Sequence, residues 1–121
     1  MNQKLKAGII GMGKMGRIRL KEMQGHNGFE TVAITDIDPK VAKEFPSIKF
    51  CDDWKEVLDQ SLDVVFVCTY NQFIPEITVE ALNRGLHVFS EKPPGRSVSD
   101  IEMMRNAEEK AGDRVLKFGF N

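Results

Sequence analysis

The stretch that most narrows the possible folds is a cluster of glycines set between a strand-like and a helix-like run. Gly11-Met12-Gly13-Lys14-Met15-Gly16 follows the apolar run Leu5 to Ile10 and leads into a helical pattern carrying Ile18, Leu20 and Met23. A second β-rich run, Thr31 to Thr35, ends at Asp36, twenty residues past Gly16. The glycine spacing alone arises often by chance. With a strand before it, a helix after it and an acid at that distance, it is the fingerprint of a dinucleotide-binding βαβ unit. Each position then has a physical task. Gly11 permits the tight turn, Gly13 lets a pyrophosphate approach the backbone, and Gly16 lets the helix pack on the strands. The free N–H groups and positive end of the helix face the anion. Asp36 would accept hydrogen bonds from the adenosine ribose hydroxyls. Lys14 and Met15, inside the glycine cluster, are counted with Gly11 and Gly13 as cofactor-binding residues.

The remainder of the chain keeps the strand–helix alternation. Gly25-His26-Asn27-Gly28 breaks the first helix, expected over about Lys14–Gln24, from the second strand. Asp38-Pro39 reads as a helix start, with Val41, Ala42 and Phe45 on one side and Pro46 as the stop. Lys49 to Cys51 is a short strand candidate, followed by Asp52 or Asp53 capping a helix with Trp54, Val57 and Leu58. Trp54 reads as a core or helix–sheet contact. Leu62 to Cys68 is a continuous apolar strand without alternation, so both its faces must be covered. After the loop Thr69 to Phe73 come a helix over about Pro75–Arg84, ended by Gly85, and a strand over Leu86–Phe89. Ser99, with Glu102 three residues on, reads as a capping box for a helix reaching about Ala111. Val115 to Phe120 is the last strand. Strict alternation of this kind means α/β, a doubly wound parallel sheet of the Rossmann type in three αβα layers, with residues 1–121 as a single domain.

Composition excludes several other classes. With 41% apolar and 29% charged residues and a formal charge of −1, the chain has no basic excess for nucleic acid and no polybasic tract for a membrane surface. Its apolar runs are too short to span a bilayer, no signal-peptide core precedes Leu5, and a cytoplasmic location is the default. Cys51, Cys68, His26 and His87 lack metal-ligand spacing, so no metal site is expected.

Three segments carry a resemblance to a known family: Gly8 to Gly16; Ala81-Leu82-Asn83-Arg84-Gly85-Leu86-His87-Val88 running into Glu91-Lys92-Pro93; and Phe118-Gly119-Phe120-Asn121. The chain resembles the NAD(P)-binding N-terminal domain of the Gfo/Idh/MocA (glucose–fructose oxidoreductase / inositol dehydrogenase) oxidoreductases. The resemblance implies hydride transfer between nicotinamide and a secondary alcohol of a sugar, cyclitol or nucleotide-linked sugar. It implies that Lys92 is catalytic, helping to position the reacting hydroxyl and its proton, and that Glu91 borders the nicotinamide ribose. Thr69, Tyr70 and Asn71 are expected at the carboxyl end of the fourth strand, where such sheets bind ligands. Family members often carry Pro and, a few residues later, His where this chain has Tyr70 and Ile74. They also continue into a substrate domain that supplies the oligomer interface. By that comparison these 121 residues read as a truncated or split product with little turnover of its own, whose longer form is expected to be a homo-oligomer. A non-catalytic nicotinamide-nucleotide sensor is the alternative.

NAD is expected over NADP. A 2′-phosphate at Asp36 would set like charges together, and Ile37 and Asp38 bring no cation; Lys40 is the nearest. Ile37 either covers one face of the adenine or serves plain packing.

Overall fold

The first strand, β1 (Leu5–Ile10), pairs in parallel with both β2 (Phe29–Thr35) and β4 (Val64–Val67), which makes it the centre of the sheet. The description rests on a computed structural model that covers residues 4–69, 71–91 and 98–119. Between these strands run α1 (Lys14–Gln24), a single-turn α2 (Val41–Glu44), β3 (Lys49–Phe50) and α3 (Trp54–Leu58). A short 3-10 turn (Asn71–Phe73), α4 (Ile74–Asn83), β5 (His87–Glu91), α5 (Val98–Lys110) and β6 (Leu116–Gly119) complete the order. The sheet runs β3-β2-β1-β4-β5-β6 with every pairing parallel. This is the doubly wound Rossmann order, whose direction of winding reverses between β1 and β4.

Two apolar clusters give the three layers. On one face Ala7, Ile9, Ile34 and Val64 pack against Leu20 and Met23 of α1 and Val41 of α2. On the other, Ala33, Val65, Val67 and Val88 pack against Val57 of α3, Ile77 and Ala81 of α4, and Met104 and Ala107 of α5. The unalternating β4 is explained by this division: Val65 and Val67 serve one cluster, Val64 and partly buried Phe66 the other. Trp54 is a partly buried contact on the α3 face.

Several expected boundaries shift. β2 begins at Phe29, two residues early, because Phe29 and Glu30 pair with Leu5 and Lys6. Asp38 does cap its turn, its Oδ1 accepting from the Lys40 N–H at 3.0 Å, but regular helix follows only over Val41–Glu44. Of the two candidate caps on α3, Asp53 is the one used, accepting from the Glu56 N–H at 2.8 Å. β5 continues to Glu91, past the expected end at Phe89. The capping box at Ser99 is corrected: α5 already includes Val98, so Ser99 lies inside the helix. The Ser-x-x-acid spacing occurs twice, as Ser97 with Asp100 and Ser99 with Glu102, and pattern alone does not separate them.

Candidate functional site

A cavity of about 800 Å³ opens at the carboxyl ends of β1, β2 and β4, at the point where the strand order reverses. Ligands bind at this place in open α/β sheets. Its floor is the glycine turn. Gly11 has φ +94°, and a Cβ there would lie 2.7 Å from the Cys68 carbonyl at the end of β4. At Gly16 a Cβ would come within 2.0 Å of the Gly11 carbonyl oxygen, so α1 can start this close to β1 only without a side chain. Gly13 differs: a Cβ there would meet nothing within 4 Å. The first two glycines answer to the fold, while Gly13 answers to whatever enters the cavity.

α1 starts with the cavity at its N-terminus. Its cap is Gly13, no side chain satisfies the first N–H groups, and no acid stands in the first turn. An anion is the partner such an end favours. Lys14 adds an exposed cation to the lining; Met15 is half-buried and lies outside it.

Asp36 closes the opposite side. Its Oδ2 accepts from the Met12 N–H at 2.6 Å and its Oδ1 from the Asp38 N–H at 2.9 Å. The carboxylate therefore locks the glycine turn to the end of β2 and keeps lone pairs free for further donors. Buried Thr35 anchors the strand end by donating to the Cys51 carbonyl at 2.6 Å. Ile37 is 81% exposed and lines the cavity, so it is not a packing residue. Thr69 lines the far wall with Phe73 and Ile77, while Trp54 shows one edge to the cavity. Asn71 opens the 3-10 turn by its backbone. Tyr70 and Lys92 lie outside the described residues.

Glu91, at the end of β5, is buried on the α1 face and outside the cavity lining. Its carboxylate takes Arg19 of α1: Nε donates to Oε2 at 2.8 Å and Nη2 to Oε1 at 3.4 Å. Arg19 also lies over the Phe89 ring, 4.8 Å from its centroid, and pairs with Glu22 at 3.0 Å. The hydrogen bond that Arg19 donates to Glu91, against some loss by burial, raises the arginine's pKa above its ordinary value. Burial first, then the Glu91 charge, pushes the nearby Cys68 thiol up to about 12. Sequence reading passed over two arginines here: Arg17, which lines the cavity, and Arg19, which holds Glu91 outside it. Arg17 stands one helical turn past Gly13, a spacing that could have pointed to it.

Residues 5–119 match the oxidoreductase family Gfo/Idh/MocA, NAD-binding Rossmann fold. The chain belongs to this family. It is 32% identical to inositol 2-dehydrogenase of Salmonella typhimurium, covering 96% of this chain and 37% of that enzyme. It superposes on scyllo-inositol dehydrogenase from Lactobacillus casei, solved with NAD(H) and scyllo-inositol, with TM-score 0.89 at 26% identity. That match covers 97% of this chain and 36% of the other. The chain thus spans a little over a third of the relatives it resembles. The same fold appears in biliverdin reductase of Synechocystis with biliverdin and NADP+, TM-score 0.87 at 23% identity, covering 94% of this chain and 37% of that one.

Proposed function

We propose that this Gfo/Idh/MocA domain binds NAD for an oxidoreductase that moves hydride between nicotinamide and a secondary alcohol of a cyclitol or sugar. The observation that carries the reading is the carboxylate of Asp36 bonded to the Met12 N–H, which ties the acid that would take the ribose to the helix start that would take the pyrophosphate. The residues present fit the dinucleotide. Gly13 and the uncapped start of α1 would take the pyrophosphate, with Lys14 beside them, and Asp36 would accept from the ribose hydroxyls. Ile37 would lie against the adenine. Thr69, with Tyr70 and Asn71, would border the nicotinamide half from the end of β4.

Bound NAD+ supplies the hydride acceptor. Lys92, next after Glu91, would donate to the substrate oxygen and stabilise its alkoxide character as the hydride leaves. Glu91, the residue next before Lys92 in the sequence, is held by Arg19 and fixes the end of β5. NAD is preferred over NADP because a 2′-phosphate at Asp36 would set like charges together, and Asp38 in the same cavity lining adds negative charge rather than a cation. No helix among the described residues is long and apolar enough to cross a membrane. A cytoplasmic homo-oligomer is the setting we infer for the longer protein.

The test joins these 121 residues to the remainder of the Salmonella inositol dehydrogenase and follows NAD reduction with a panel of cyclitols and sugars. Activity that falls at least about a hundredfold in Lys92→Ala while NAD binding persists supports the assignment. An unchanged rate refutes Lys92's role, and absence of NAD binding refutes the domain's.

A further inference from the structure

The cation that sequence reading did not find beside Asp36 is supplied by α1. Arg17 shares the cavity lining with Asp36, Ile37 and Asp38. Its guanidinium donates to Glu44 of α2, 27 residues away, and lies over the Phe45 ring, 5.5 Å from the centroid. Neither Glu44 nor Phe45 lines the cavity, so the pair draws the arginine's fork towards α2. Asp36 and Asp38 lie close enough to act on the same charge after Glu44 does. Of the three carboxylates, Glu44 alone takes the guanidinium by hydrogen bond, while Asp36 and Asp38 act on its charge at longer range.

We propose that Arg17 and Glu44 form a second determinant of nucleotide choice, in which Glu44 occupies the arginine that a 2′-phosphate would otherwise recruit. This rests on reading the cavity as a dinucleotide site. An arginine fork is the group best matched to a phosphate. The Arg17–Glu44 pair is half-exposed, with side chains 41% and 48% accessible, so it is not held in place by burial. Asp36 would repel a 2′-phosphate, and Glu44 would deny it the arginine fork of the cavity lining. Removing Asp36 alone lifts the repulsion but leaves Arg17 bonded to Glu44.

The experiment measures the affinities of the 121-residue chain for NAD+ and NADP+ by calorimetry. It compares the unsubstituted chain, Asp36→Ser, Asp36→Ser with Glu44→Gln, and that pair with Arg17→Gln added. The unsubstituted chain should prefer NAD+, and Asp36→Ser should narrow the preference. Adding Glu44→Gln should strengthen NADP+ binding roughly tenfold or more, the worth of a hydrogen bond to a charged group. Arg17→Gln should then remove that gain. A change below about twofold on adding Glu44→Gln, or a gain that survives Arg17→Gln, overturns the proposal. Binding of neither dinucleotide by the unsubstituted chain would instead overturn the reading on which it rests. A fifth protein, Glu44→Gln alone, is included, and NAD+ binding by it shows that the Glu44 substitution leaves the site folded.

Discussion

Replacing Arg19 with Met should be strongly destabilising, and the size of the effect follows from what it strands. The Glu91 carboxylate is 6% exposed as a residue and receives two of its hydrogen bonds from Arg19. Removing one partner of a buried pair costs about 3–5 kcal/mol, because a charge is left without compensation. Arg19 keeps some contact with water and with Glu22, so the lower end applies, about 3 kcal/mol. In a chain of this length that is a fall in Tm of about 12 °C. Glu91→Gln should cost less, about 1–2 kcal/mol, since Arg19 retains Glu22 and the face of Phe89. The double variant should cost no more than Arg19→Met alone, because no charge is then stranded. Trp54 is the sole tryptophan and partly buried, so its fluorescence follows urea unfolding in all four proteins. Strictly additive losses, within about 0.5 kcal/mol, would refute the claim that the pair acts as one unit. A loss below about 1 kcal/mol for Arg19→Met would refute its burial.

Two further outcomes follow. Gly16→Ala places a Cβ 2.0 Å from the Gly11 carbonyl, a backbone atom that cannot swing aside, and should destabilise by at least about 3 kcal/mol in the same urea titration. Cys68, with its thiol at about 12, should be alkylated at pH 8 at least about a hundredfold more slowly in the native chain than in urea, because so little thiolate is present; equal rates would contradict its environment.

The elements with strong local signals were legible in the sequence. β1 and α1 match their expected bounds, because a short apolar strand, a glycine turn and a glycine-terminated helix are each coded within a few residues. The two faces of β4 could be read from its lack of alternation. What escaped was long-range. The first residues of β2 are strand because of a partner 24 residues away, and Arg19 meets Glu91 across 72 residues. Arg17 escaped for the same reason: a search forward from Asp36 for a cation does not reach back to α1. Asp36 itself was expected to serve a ribose, and its bond to the glycine turn adds a structural task that spacing does not reveal.

The central claim, that the glycine turn and Asp36 form a dinucleotide site, is tested most directly at Gly13. Its φ of −77° lies outside the left-handed region, and its ψ of −155° sits just past the usual β range. A Cβ there would meet no protein atom within 4 Å, so Gly13→Val should still fold, with a Tm within about 5 °C of the unsubstituted chain. The added methyl groups would occupy the place of the pyrophosphate, and calorimetry should show NAD+ binding by the unsubstituted chain weakened at least about a hundredfold in the variant. Equal NAD+ affinity in the two proteins would contradict the account.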